Sequence, residues 1–164
     1  PLRLVGSEMC IRDSKMTDHY WDLTQNLNVA APFFLAKALV PGMRSKGWGR
    51  IINFASLQSK RAFKNGISYG TSKGAVEQMT RAMAEAWSPD GITANSIAPG
   101  FFRTELTESV FSDPELSARN AAQTCIGRNG EIHDMEGPMI FFCSNASNYI
   151  TGQTLFVDGG YTAK

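Results

Sequence analysis

The chain alternates between short apolar runs and longer segments whose apolar residues recur every three to four positions. Ile51-Ile52-Asn53-Phe54-Ala55 is too short for a free-standing helix and rich in branched and aromatic side chains, which predicts a buried strand. Two further strands are predicted at Ile92 to Ala98 and Thr154 to Val157. Helical spacing fills the intervals. From Asp18 to about Arg44, the residues Trp21, Leu27, Phe34, Ala38 and Leu39 fall near one face, and Pro41-Gly42 marks a kink or an end. Another helix starts near Tyr69 and runs to about Ser88, with Val76, Met79, Met83 and Trp87 as a core stripe. Glu105 to Gln123 predicts two short helices broken at Asp113-Pro114, and Glu131 to Ser144 predicts one more. Strands alternating with helices imply an α/β fold on a short parallel sheet, in which ligands bind at the carboxyl ends of the strands.

That edge collects residues with chemistry. Ser56 directly follows the strand at 51–55, and Pro99-Gly100 follow the strand at 92–98. Tyr69 and Lys73 stand four apart, on one face of their helix. A phenol with a pKa near ~10 is a poor base at neutral pH. A unit charge about 4 Å away, at an effective dielectric of about 20, is worth ~4 kcal/mol, so Lys73 is expected to lower Tyr69 by roughly three pH units. Tyr69 would then titrate where general acid–base catalysis is most effective. Ser56 is expected to donate a hydrogen bond to the reacting oxygen. By itself a Tyr/Lys pair at this spacing describes an ordinary surface helix equally well.

The conjunction of Ser56 with Tyr69-Gly70-Thr71-Ser72-Lys73 about a dozen residues later resembles the short-chain dehydrogenase/reductase family. Upstream, Trp21 to Asn28 is similar to the family's helix bearing its fourth active-site residue, here Asn28. Downstream, Asn95 to Thr104 resembles the strand-end PG motif with its cofactor-contacting threonine. Ile150-Thr151-Gly152-Gln153 and Val157-Asp158-Gly159-Gly160 match the last strand, so the resemblance runs from about Lys15 to Lys164. It implies a Rossmann-type, doubly wound parallel sheet, NAD or NADP as cofactor, and interconversion of a secondary alcohol and a ketone on a small-molecule substrate. By eye the gluconate-type sugar-acid dehydrogenases are nearest, then the 3-oxoacyl-carrier-protein reductases. The implied roles are Tyr69 as acid/base, Lys73 as the group that lowers its pKa and binds the nicotinamide ribose, and Ser56 as the group that orients the substrate oxygen. Asn28 would support a proton-relay water; a mid-helix Asn also caps or bends. Tyr69, Pro99, Gly100 and Thr104 would also contact the cofactor, although Thr104 reads equally as an N-cap. Phe101 and Arg103 would join Ser56 and Tyr69 at the substrate, with a solvated surface charge as the alternative for Arg103. The resemblance further implies a homo-oligomer built through the Asn28- and Tyr69-bearing helices.

Composition changes little. Sixteen basic and fifteen acidic residues give a net charge of +1 with no basic run, which supplies nothing to attract nucleic acid or an anionic membrane. No apolar stretch reaches transmembrane length, and the chain reads as cytoplasmic. Cys10, Cys125 and Cys143 lack metal-ligand or redox spacing and are expected to be reduced, two of them buried. His19 and His133 are isolated and are expected at the surface, not as ligands. Residues 1–14 are set apart: Met9-Cys10-Ile11-Arg12-Asp13-Ser14 resembles the translation of an adapter used in sequencing libraries, and the family likeness begins directly after it.

Within 15–164 there is no G-x-G-x-x-G turn, the family's cradle for the dinucleotide pyrophosphate. The expectation is therefore the C-terminal part of a Rossmann-type domain lacking about four N-terminal strands, inactive by itself. The alternative is a non-catalytic relic that folds or oligomerises without binding a dinucleotide. In either case the strand at 51–55 is expected at an unpaired edge, presenting Ile51, Ile52 and Phe54.

Overall fold

Ile92, Ala94, Ile97 and Ala98 are fully shielded from solvent, because their strand, β2 (Ile92–Pro99), lies in the middle of the sheet and is covered on both faces. The computed structural model describes residues 13–164; residues 1–12, with Cys10, lie outside the described residues. On one side β2 pairs in parallel with β1 (Gly49–Phe54), Ile51 opposite Ala94; on the other it pairs in parallel with β3 (Thr154–Val157), Ser96 opposite Thr154. Two polar side chains of β2 are satisfied by neighbouring segments, whereas the buried Thr93 hydroxyl has no partner among the described residues. Ser96 meets Thr154 hydroxyl to hydroxyl at 2.6 Å, and the Asn95 amide donates to the Ile150 carbonyl at 2.9 Å.

Helical segments precede and connect the strands. α1 (Asp18–Gln25), capped by Thr17, passes through a five-residue π-helical stretch, Asn26–Ala30, into α2 (Ala31–Lys46). α3 (Ile67–Trp87) crosses from β1 to β2. Between β2 and β3 run α4 (Glu108–Phe111), α5 (Pro114–Gln123) with Asp113 as its N-cap, and α6 (Glu136–Cys143), the last entered through a 3₁₀ turn at Ile132–Met135. The break predicted at Asp113-Pro114 is where α5 begins. Asp13–Lys15 form a 3₁₀ turn, and the Asp13 carboxylate accepts the Asn65 and Ile67 amides at 3.1 and 3.4 Å.

Several expectations are corrected. Pro41 neither ends nor breaks its helix; α2 continues to Lys46 and stops at Gly47, whose left-handed φ of 61° forms the cap. The face of α2 that meets the sheet is Ala36, Val40 and Met43, whereas Phe34 and Leu39, on the face marked by the apolar spacing, are 60 % and 51 % exposed. On α3 the prediction holds: Val76 and Met83 are buried, and Met79 and Trp87 pack against the core. β1 lies at the edge of the described sheet, but Ile51 points into the core with Val40 and Met83, and Phe54 is the exposed residue at 48 %. An edge frees backbone groups on one side only, whereas side chains alternate between faces. Cys125 and Cys143 are both exposed, against the expectation of burial. His19 and His133 are exposed as expected.

Candidate active site

β1 ends at Phe54, and the chain turns away from the sheet through Ala55 and Ser56, both buried. Ser56 is extended and caps a 3₁₀ turn, Leu57–Ser59, its hydroxyl accepting the Gln58 amide at 3.2 Å. That leaves the hydroxyl proton free to point elsewhere. α3 begins beside this turn. Gly66 eases the approach, since a Cβ there would lie 2.7 Å from Gln58 Oε1 and 3.1 Å from the Phe63 carbonyl. Tyr69, in the first turn of α3, is thereby brought to Ser56 and is 9 % exposed.

Lys73, one helical turn on, has its ammonium 5.5 Å from the centre of the Tyr69 ring and donates to the Phe54 carbonyl at 2.8 Å. Burial lowers this ammonium to about 8. Burial likewise raises the Tyr69 phenol above its ordinary range, and the hydrogen bond with Ser56 pulls it back only in part. The expected lowering of Tyr69 by Lys73 is not found. Desolvation of the phenol sets the direction, and the ammonium is committed to a carbonyl at the strand end. At neutral pH the Tyr69 phenol therefore keeps its proton.

Ser56, Tyr69, Lys73, Pro99, Gly100, Phe101 and Thr104 share one cleft of about 210 Å³ at the carboxyl edge of β1 and β2. Thr104 opens a 3₁₀ turn, Glu105–Thr107, and its amide and hydroxyl meet the Thr107 hydroxyl at 2.9 and 3.1 Å. Capping does not exclude a further contact, because Thr104 itself is exposed. Arg103 does not line the cleft; its guanidinium sits 5.4 Å over the Phe111 ring. Asn28 does not line it either. It lies in the π-helical stretch and donates to the Ser72 hydroxyl at 2.9 Å, which in turn donates to the Tyr69 carbonyl at 2.7 Å. π-bulges of this kind recur at functional sites.

Sequence reasoning missed Ser72, Gln58, Leu57 and Thr107. Ser72 is completely buried between Tyr69 and Lys73, and its only sequence signal is a polar residue on the inner side of an amphipathic helix. No group of three or more His, Cys, Asp or Glu able to hold a metal exists among the described residues, and no described helix is long and apolar enough to cross a membrane.

A family model described as Enoyl-(Acyl carrier protein) reductase matches residues 9–162. Gluconate 5-dehydrogenase of Gluconobacter oxydans is 39 % identical over 142 residues, covering 87 % of this chain and 56 % of that protein. A 2-dehydro-3-deoxy-D-gluconate 5-dehydrogenase of Escherichia coli is 39 % identical over 148 residues, covering 88 % and 57 %. Among solved structures, a gluconate 5-dehydrogenase of Burkholderia cenocepacia in complex with NADP and tartrate superposes with a TM-score of 0.92 at 36 % identity, over 96 % of this chain and 62 % of that one. The chain thus spans about half the length of the curated relatives it matches.

Proposed function

The chain belongs to the short-chain dehydrogenase/reductase family, and on that premise we propose that the protein is an NAD(P)-dependent oxidoreductase interconverting a secondary alcohol and a ketone. The observation that carries this reading is the convergence of Ser56, Tyr69 and Lys73 on one cleft at the carboxyl edge of the sheet. The donor set suits the nicotinamide end of a dinucleotide. An ammonium has three protons, and Lys73 spends one on Phe54, leaving two for ribose hydroxyls. The Thr104 hydroxyl and the Pro99-Gly100 strand end, which line the same cleft, would partner the nicotinamide carboxamide.

The dinucleotide, when bound, supplies or accepts the hydride. This chain's residues handle the proton. In the reductive direction the Tyr69 phenol, kept protonated by burial, donates to the carbonyl oxygen as charge develops on it. Ser56 donates a second hydrogen bond to the same oxygen and fixes its distance from the phenol. Lys73, its ammonium 5.5 Å from the centre of the ring, is the cation nearest the phenolate left behind. Asn28, through Ser72, steadies the first turns of α3. We assign the substrate to the sugar-acid class, following the names of the relatives. The exposed Phe34, Leu35 and Leu39 on α2 support a homo-oligomer through that helix.

The test is turnover of sugar-acid alcohols and their ketones with NAD(H) and NADP(H), in the protein carrying this chain and in its Tyr69→Phe variant. Loss of turnover by orders of magnitude with cofactor affinity unchanged is expected for the variant, since only the phenolic proton is removed. Full activity without the phenol would overturn the assignment.

A further inference from the structure

Glu77 is a carboxylate at 7 % exposure with no part in the chemistry above. Tyr69, Lys73, Glu77 and Arg81 stand four apart along α3, so their side chains form a ladder down one side of the helix. The rung below Lys73 reaches the same loop that Lys73 reaches. Glu77 Oε1 contacts the Ser59 hydroxyl, which also faces the Ser56 carbonyl at 2.6 Å. The Ser59 amide donates to that carbonyl at 3.0 Å. A hydroxyl has one proton and can share it between the two acceptors. Ser56 is thereby bracketed: Phe54 before it is tied to Lys73, and Ser59 after it is tied to Glu77.

An ion pair with Arg81 does not account for burying this carboxylate. The closest approach is 3.4 Å and the arginine side chain is 52 % exposed, a kind of pair that contributes little. We infer that Glu77 is a positioning residue, which through Ser59 fastens the Ser56–Ser59 turn to α3 and so holds the Ser56 hydroxyl against Tyr69. The part Ser56 plays in the reaction rests on the function proposed above, whereas the tether stands without it. Two anchors on one rigid helix locate a loop residue more closely than one, which is how supporting side chains preserve catalytic geometry.

The test is amide hydrogen exchange in wild type, Glu77→Gln, Glu77→Leu, Ser59→Ala and the Ser59→Ala/Glu77→Leu double variant. Glu77→Leu and Ser59→Ala are each expected to speed exchange at Gln58 to Arg61 about tenfold or more, leaving the α3 amides and the melting temperature near wild type. The double variant goes no further, because both changes cut one link. Glu77→Gln keeps an acceptor and stays close to wild type. In the turnover assay Glu77→Leu lowers kcat about 10- to 100-fold with the cofactor KM unchanged, and Glu77→Gln restores it. A turn that stays protected in Glu77→Leu, exchange that rises along the whole of α3, or an unchanged kcat would overturn the inference. A wild-type protein without turnover would sink the oxidoreductase reading instead, and the exchange data would still decide the tether.

Discussion

Replacing Lys73 by methionine is expected to change how stability depends on pH. The buried ammonium is lowered from 10.5 to about 8, and at about 1.4 kcal/mol per pH unit its folded setting costs about 3–4 kcal/mol at neutral pH. Between about pH 8 and about pH 10.5 the unfolded chain binds a proton at this lysine that the folded chain has released. Stability therefore rises with pH through that window and has lost the contribution entirely below it. Tyr69 acts in the opposite sense at the upper end. Its phenol is raised, so above about pH 10 the unfolded chain ionises first and stability falls. The wild-type profile should climb from about pH 8 and turn over above about pH 10. Lys73→Met lacks the climbing limb while sharing the other titrations, so the difference between the two proteins isolates the lysine. Urea unfolding midpoints at several pH values, converted with the m-value, should show that difference moving by about 2–3 kcal/mol in favour of wild type across the window. Parallel profiles would refute the buried-lysine reasoning.

Two further outcomes are expected. Gly91→Ala puts a side chain at φ +78° with its Cβ 2.1 Å from the Gly47 carbonyl, forcing apart the entry into β1; a loss of more than about 2 kcal/mol and a melting temperature lower by about 5 °C or more should follow in thermal unfolding. Light scattering at micromolar concentration should report a dimer or tetramer of closed symmetry, and a Phe34→Glu/Leu35→Glu double variant should shift it toward monomer without unfolding; a monomeric wild type would contradict the α2 interface.

What the sequence determined by itself was mostly local. Apolar runs and three-to-four periodicity marked β1, β2, β3 and the core stripe of α3, because strand alternation and helical spacing are set by backbone geometry within a few residues. The resemblance to the family motif grouped Ser56, Tyr69 and Lys73 from sequence alone. The outward turn of Phe34 and Leu39 was not legible, because periodicity finds an apolar stripe without saying which stripe meets the sheet. Nor was the charge state of the site. A Tyr/Lys spacing suggests that the ammonium lowers the phenol, but burial sets both groups the other way, and burial is contributed by β1, β2 and the turn after β1. The ties that orient the site join positions far apart in sequence: Lys73 to Phe54, Glu77 to Ser59 and Asn28 to Ser72 are 19, 18 and 44 residues apart. Only the tertiary fold decides such contacts, because whether a polar side chain finds a partner or water depends on what other segments have already been packed against it.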